Sequence, residues 1–234
     1  MPLLYRHDWW PVKTVRSVSF AGTIRRVATG KTAPLASRRR ESSRLAILDA
    51  ALALCREEGY AKLSVEAIAA RAGASKQTIY RWWPSKGAVL LEALEHEVAG
   101  SVTIPDTGDV VADMRTVVGN LIRRHADPNF GPHVAALIAE SQHDPALGRD
   151  ALERFVRGRR APLVERLRRA QQVGQLPASV DPEAILEMVF GALYHRLLLR
   201  SGPVDDAYGS FIVDVVFTGS AASTDFVTNG SDRG

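Results

Sequence analysis

The sequence predicts an all-α fold of about nine helices, and three observations carry this prediction. Apolar residues recur at helical spacing in one segment after another. Aromatic residues make up only 7% of the chain, and no Asn-Gly turn joins alternating, strand-like segments. Hydrophobic residues make up 46% of the 234 residues, which is enough for a sizeable core.

The first four helices follow from caps, glycines and one proline. Gly59 and Gly73 close helices 1 and 2, and Ser64, Ser75 and Ser85 cap helices 2, 3 and 4. Pro84 disfavours helical geometry at the residue before it, so the chain turns there and restarts as helix 4. The predicted bounds are about 41–58, 64–72, 76–82 and 86–99.

A second helical block follows a linker at 100–108. Asp144-Pro145 and Asp181-Pro182 both read as a cap with proline in the first turn, which starts helices 7 and 8. Pro162 should kink or split helix 7. The other predicted bounds are about 110–125 for helix 5, 132–142 for helix 6, 173 for the end of helix 7, and 204–217 for helix 9.

Charge is unevenly distributed along the chain. Residues 1–40 hold nine Lys or Arg against Asp8, although the net charge of the whole chain is only +4. We expect this basic arm to be disordered because it shows no sustained apolar periodicity. Two readings of it stay open: non-specific contacts with phosphate groups, or no role.

Several classes of protein are disfavoured by composition. No apolar run approaches the roughly 18 residues of a membrane span, so no membrane partner is expected. The single Cys55 cannot form an internal disulfide, which favours a cytoplasmic setting. Neither a nucleophile–base pair, a phosphate-binding glycine loop nor a metal-ligand spacing is present, so we expect no enzyme activity, metal or cofactor.

The segment 64–83 has the pattern of a helix-turn-helix. Val65, Ile68 and Ala69 share one face of helix 2, and Ile79 and Trp83 share one face of helix 3. Polar residues occupy the other face of helix 3, which opens just after a tight turn. This arrangement is typical of a helix that enters the major groove of DNA.

The segment 41–100 closely resembles the N-terminal domain of TetR/AcrR-type transcriptional regulators. The resemblance rests on Leu48-Asp-Ala-Ala, Glu58-Gly59-Tyr60 and the run from Ile79 through Trp82-Trp83-Pro84-Ser85 to Lys86. Residues 101–218 look like one of the family's divergent effector-binding and dimerisation domains. The predicted organisation is thus a basic arm (1–40), a DNA-binding domain (41–100), a second domain (101–218) and a flexible tail (219–234).

Helix 3 is expected to read the bases. Lys76, Gln77 and Thr78 lie in its first turn and suit guanine, adenine and the thymine methyl group respectively. Ser64 and Lys86 lie at helix starts, where free N–H groups favour phosphate, and the resemblance adds Tyr80 and Trp82 to this backbone clamp. The full set expected at the DNA is Ser64, Ser75, Lys76, Gln77, Thr78, Tyr80, Arg81, Trp82 and Lys86.

The resemblance also implies a mechanism. It predicts a homodimer formed by helices 8 and 9, which is released as a repressor from a palindromic DNA operator by a small hydrophobic effector. The candidate pocket residues are Met114, His133, Glu140, Gln142, His143, Phe155 and Tyr194. A DNA-binding protein of the same fold controlled by a protein partner stays open as an alternative, and an enzyme ranks last.

A few residues allow a structural reading instead. Trp83 is expected in the core, and Cys55 is expected to be a small buried residue. Trp82 has two open roles, since its indole offers phosphate only one N–H donor. The arginines of helix 7 (Arg154, Arg157, Arg160, Arg166, Arg168 and Arg169) are expected to form a solvated face.

Overall fold

A computed structural model describes residues 35–99 and 104–229, without the side chains of 35–38, Phe155 and 220–229. Counting one interrupted helix as a single element, these residues form nine α-helices and a short 3₁₀ turn at Tyr60–Lys62, and they contain no strand. The all-α prediction is therefore confirmed. The helices are α1 (Leu35–Glu58), α2 (Val65–Ala72), α3 (Lys76–Trp82), α4 (Lys86–Val98), α5 (Val110–Ala126), α6 (Gly131–Ser141), α7 (Pro145–Gln172), α8 (Pro182–Leu199) and α9 (Asp206–Asn229).

The interruption lies in α7. Its first part, Pro145–Asp150, passes through a π-helical segment, Ala151–Arg157, into a regular α-helix, Gly158–Gln172. The π-helical segment ends one turn before Pro162, which has no N–H to donate and whose ring crowds the carbonyl of Gly158. The helix is therefore not split at Pro162, and its hydrogen-bonding pattern changes on the N-terminal side of the proline.

Two helices extend beyond their predicted bounds. Helix α1 starts at Leu35 rather than near 41, so the last residues of the predicted arm are helical. Helix α9 continues to Asn229, so the segment from 219 expected to be a flexible tail is helical as far as that residue. Residues 1–34, 100–103 and 230–234, which include most of the basic arm, lie outside the described residues.

The molecule has two apolar cores. The first lies among α1–α4 and also takes in Phe130, Val134, Leu137 and Leu147 from the start of the second block. Helix α6 and the start of α7 therefore pack against the N-terminal unit, so the boundary near residue 100 does not divide the cores. The second core lies among α5, the C-terminal part of α7, α8 and α9.

A buried ion pair anchors the second core. Arg166 on α7 is only 1% exposed, and its Nε and an Nη atom lie 2.8 and 2.5 Å from Oδ2 of Asp113 on α5. The side chain and backbone N–H of Thr107 donate to the same carboxylate. The expectation that all the arginines of α7 form a solvated face is therefore wrong for Arg166, because its carboxylate partner comes from another helix.

Candidate nucleic-acid interface and internal cavity

Local hydrogen bonds define the helix-turn-helix. The Ser64 hydroxyl accepts from the N–H of Ala67 at 3.1 Å, and the Ser75 hydroxyl accepts from the N–H of Thr78 at 3.1 Å. Between these caps Gly73 adopts a left-handed backbone conformation with a φ of 62°, which glycine tolerates without strain. The angle between α2 and α3 is therefore determined by the two serine caps and Gly73, which are close together in the sequence.

Helix α3 is fixed in orientation by its buried face. Ile79 is fully buried, and Trp83 at the end of the helix is 3% exposed in the first core. The indole Nε1–H of Trp83 donates to Oε2 of Glu92 on α4 at 2.9 Å, and Arg44 of α1 donates to Oε1 of the same carboxylate at 2.6 Å. Helix α3 is thus tied to both α1 and α4.

The opposite face of α3 presents the predicted base-reading residues to solvent. Lys76 and Gln77 are exposed and Thr78 is half-buried. The Lys76 ammonium lies 3.0 Å from Oε1 of Glu66, and this hydrogen bond lowers the pKa of the Glu66 carboxyl. The predicted base contact of Lys76 would replace this exposed ion pair, a change of small cost since exposed ion pairs stabilise little.

The predicted phosphate contacts surround this face. Tyr80 is 54% exposed, and Arg81 beside it is also exposed. Lys86 is half-buried, with its ammonium 4.5 Å from the ring centroid of Tyr60 and 3.5 Å from the Tyr60 carbonyl oxygen. The first N–H groups of α4 are free of intrahelical partners, as at any helix start, and suit a phosphate oxygen.

Trp82 has a packing role. Its ring meets that of Trp83 edge to face with centroids 5.4 Å apart, and it packs against the first core while staying half-buried. The Arg81 guanidinium lies 5.7 Å from the centroid of the Trp82 ring. Trp82 therefore supports Arg81 and Trp83, whether or not its indole N–H reaches the DNA.

Cys55 lies in the first core and is 2% exposed. Burial raises the pKa of its thiol to about 11, although the positive charge of Lys86 opposes the shift. The thiol is therefore protonated at neutral pH, as expected of a small buried residue.

A partly open, mainly apolar cavity of about 310 Å³ lies between α5, α7 and α8. The last turn of α4 and Phe130 at the start of α6 close two of its sides. The polar groups on its wall belong mainly to α5 and α7. Its lining consists of Val98, Val117, Asn120, Leu121, Arg124, His125, Phe130, Val156, Arg159, Arg160, Leu163, Phe190 and Tyr194.

The predicted pocket residues are spread over several places. Tyr194 lines the cavity, whereas Met114 is fully buried in the second core, and Gln142 borders a separate depression next to α7. A further group (His133, Glu140 and His143) borders an open groove beside Cys55 and Tyr60. The side chain of Phe155 lies outside the described residues. Among the choices whose side chains are described, only Tyr194 therefore reaches the cavity.

The missed titratable residues of the cavity wall are Arg124, His125, Arg159 and Arg160, and Arg160 was wrongly expected on a solvated face. They lie on two helices that are far apart in the sequence, and each forms part of an arginine-rich run that also suits a solvated face. No spacing signal distinguishes the two environments. Only the packing of α5 against α7 turns these residues inwards.

Two features are absent from the described residues. No helix within 35–99 or 104–229 is long and apolar enough to cross a membrane. In the same part of the chain, no three His, Cys, Asp or Glu side chains gather as a metal site.

Comparison with known proteins shows which protein family each of the two units resembles. Residues 47–93 match the family described as bacterial regulatory proteins, tetR family, and residues 104–216 match the tetracyclin repressor-like C-terminal domain. The HTH-type transcriptional regulator YdeS of Bacillus subtilis (strain 168) is 33% identical over 186 residues, which cover 80% of this chain and 93% of YdeS. The chain belongs to the TetR family.

Two further TetR-family proteins are similar over most of their length. The DNA-binding transcriptional repressor TetR of Mycobacteroides abscessus is 34% identical over 183 residues, covering 76% of this chain and 93% of the relative. The crystal structure of the TetR family transcription regulator SCO0332 is 36% identical with a TM-score of 0.66, covering 76% and 98% of the two chains. The protein is thus a DNA-binding transcriptional regulator of a non-enzymatic family.

Proposed function

We propose that this TetR-family regulator is a homodimeric repressor that a small effector releases from a palindromic operator. The single observation that carries the effector is the mainly apolar cavity of about 310 Å³. Ligand cavities have volumes of ~300–1,000 Å³ and combine apolar walls with a few polar groups, as this one does. The cavity favours a small effector over control by a protein partner.

The cavity lies next to the helix that enters the DNA-binding unit. Val98, in the last turn of α4, lines the cavity, and Lys86 begins the same helix. Arg124 on the cavity wall also donates to the carbonyl oxygen of Glu97 at 3.3 Å. A ligand that displaces this end of α4 therefore moves a predicted phosphate contact, and a coupling of ~1–3 kcal/mol would weaken operator binding about 5- to 150-fold.

An exposed apolar surface on α8 and α9 suits the dimer. It consists of Met188, Leu198 and Leu199 on α8 with Phe211 and Val215 on α9, whose exposed fractions range from 41% to 67%. Gly191 lies among the α8 residues, and a Cβ there would meet nothing within 4 Å, so a second helix can approach closely at this position. Dimerisation would place two recognition helices on one face of the DNA, where successive major grooves are ~34–36 Å apart.

The base-reading role is tested by mapping bound sites across the genome and then measuring variants on the recovered operator. Gln77→Ala should reduce the preference for the operator over unrelated DNA, because an adenine contact is lost, while non-specific binding is retained. Unchanged sequence preference would contradict the role of Gln77.

Lys86→Ala should weaken binding to every sequence and reduce the slope of log K against log salt by about one. Arg115→Ala serves as the matched control, since Arg115 is an exposed cation on α5 that pairs with Asp214. An unaltered salt slope in Lys86→Ala would remove Lys86 from the phosphate contacts.

The dimer is tested by a charge on the exposed apolar surface. Phe211→Asp should yield a monomer in light scattering and should lose operator binding, because one DNA-binding unit alone buries too little surface. Val173→Asp is the control: Val173 is 70% exposed at the end of α7, outside the proposed interface. A Phe211→Asp protein that stays dimeric would contradict the proposed interface.

A further inference from the structure

The wall of the cavity is positively charged. Three guanidinium groups line it (Arg124, Arg159 and Arg160), and the lining contains neither Asp nor Glu. The carboxylate that pairs with Arg124 is Glu97, whose Oε1 lies 3.3 Å from the Arg124 guanidinium and 3.0 Å from that of Arg56. One carboxylate shared by two guanidiniums leaves a positive charge in excess.

Aromatic rings hold two of these guanidiniums against the wall. The Arg124 guanidinium carbon lies 4.4 Å from the ring centroid of Phe130, and that of Arg160 lies 5.1 Å from the centroid of Phe190. In both arginines the Nε atom is buried and has no hydrogen-bond partner among the described residues. A buried donor without a partner is costly, so a ligand that accepts from these groups would be stabilised.

Arg159 adds to the same potential. Burial lowers the pKa of its guanidinium, Glu95 opposes the shift, and the neighbouring charge of Arg124 lowers the pKa further. Glu95 is itself engaged by Arg154 at 2.5 Å. Arg124 and Arg159 thus repel each other on the wall of one cavity, and an anion bound there would relieve their repulsion.

His125 presents an aromatic ring to the cavity. Its Nδ1 lies 2.8 Å from the carbonyl oxygen of Leu121, which can only accept, so Nδ1 carries the proton. Burial lowers the pKa of the His125 ring, with Arg159 and Arg124 adding to the shift, so the ring is neutral at pH 7. Its Nε2 is then a buried lone pair without a partner among the described residues, and since a carboxylate cannot donate to it, His125 contributes its ring and not a hydrogen bond to an anion.

Aromatic rings form much of the remaining wall. The His125 ring lies edge to face with Phe130 and with Tyr194, at centroid distances of 5.5 and 6.1 Å. The ring centroids of Phe190 and Tyr194 are 6.2 Å apart. Flat rings with edge and face contacts of this kind suit an aromatic ligand.

We propose that the cavity binds an organic anion of modest size, namely an aromatic carboxylate whose charged group meets the Arg124–Arg159–Arg160 cluster. This inference rests on the proposed function only in taking the cavity as the effector site. The volume of about 310 Å³ is at the small end of ligand cavities and suits one or two rings. Charge-assisted hydrogen bonds from guanidinium groups give such an anion its preference over a neutral analogue.

The test compares two probes of one shape. Binding of 1-naphthoate and of its neutral amide, 1-naphthamide, is measured by isothermal titration calorimetry on the full-length protein at pH 7. The carboxylate should bind at least tenfold more tightly than the amide. Equal affinities, tighter binding of the amide, or no binding of the carboxylate would each overturn the proposal.

Variants locate the site of binding. Arg160→Gln and Arg124→Gln should each reduce the affinity for 1-naphthoate about tenfold and leave that for 1-naphthamide unchanged, whereas Arg160→Lys should retain most of the preference for the anion. Arg123→Gln is the matched control, because Arg123 neighbours Arg124 but is exposed and pairs with Asp206. Circular dichroism verifies that each variant is folded. A preference for 1-naphthoate that survives both cavity variants would place the anion elsewhere and overturn the proposal.

The proposed function and the anion site are refuted by different measurements. A protein that binds no DNA site specifically would refute the regulator proposed above, while the comparison of the two probes would still decide the anion site. A site-specific DNA-binding protein without preference for the carboxylate would refute the anion site alone.

Discussion

Removing Asp113 should destabilise the second core more than any exposed substitution. Asp113 and Arg166 are each 1% exposed, and their side chains are joined by two short hydrogen bonds. Asp113→Ala leaves the guanidinium buried opposite an apolar side chain. Loss of one partner of a buried pair costs ~3–5 kcal/mol.

The surroundings of Arg166 favour a loss of stability at the lower end of that ~3–5 kcal/mol range. Asp106, which is half-exposed, also lies 3.2 Å from the Arg166 guanidinium and retains part of the compensation. We therefore expect a loss of ~3 kcal/mol, which is a large part of the ~5–15 kcal/mol stability of a typical folded protein. Replacing both partners by apolar residues, Asp113→Leu with Arg166→Met, should recover most of the loss because no unpaired charge is left.

The measurement is guanidinium chloride unfolding at pH 7, followed by circular dichroism, on the wild type, both variants and a control. The control is Asp214→Ala, which removes an exposed ion pair with Arg115 and should cost less than ~1 kcal/mol. A loss for Asp113→Ala as small as that of the control would refute the reasoning, since it would mean that the buried guanidinium needs no carboxylate.

Three other measurements address separate features. Burial raises the pKa of Asp113, but hydrogen bonds from Thr107 and Arg166 outweigh it and hold that pKa below its ordinary value. The ionised carboxylate thus stabilises the fold above about pH 4, and this contribution is lost as the pH falls further. The wild type should therefore lose stability in acid more steeply than Asp113→Asn. Parallel curves of unfolding free energy against pH for the two proteins would contradict this. Gly131→Ala should destabilise the protein by ~1–3 kcal/mol in thermal unfolding, because a Cβ there would lie 2.0 Å from the backbone oxygen of His125. Gly158→Ala is the control and should be neutral or stabilising, since a Cβ there would have no neighbour nearer than 3.8 Å. Cys55 should react with a disulfide reagent at pH 8 only after unfolding, since its thiol is buried with a pKa of about 11; rapid reaction of the native protein would show that the first core opens readily.

The DNA-binding unit was largely predictable because its determinants are local. Ser64, Ser75 and Ser85 each accept a hydrogen bond from a backbone N–H three residues further on, so the caps can be read from adjacent positions. The apolar face of α3 follows likewise from the spacing of Ile79 and Trp83. The role of each exposed residue at the DNA stays a prediction, because a base or phosphate contact needs the partner that the isolated chain does not contain.

The cavity was not predictable in the same way. The pattern that places Arg124, Arg159 and Arg160 on helices is correct, but an arginine on a helix has the same spacing whether it faces water or a cavity. Met114 shows the converse, since it was expected at a pocket and packs in the core. Burial depends on which helix packs opposite, and the partner helices are remote in the sequence.

The sequence by itself determined the helices and their order, the form of the helix-turn-helix and the resemblance to TetR-type regulators. These rest on caps, glycines and apolar periodicity, which act between residues a few positions apart. Only the tertiary structure decided that α6 joins the first core, that Asp113 meets Arg166, and that α5, α7 and α8 form a positively charged cavity. Such contacts join residues far apart in the sequence, and their energy comes from removing specific pairs of groups from water, which no local pattern encodes.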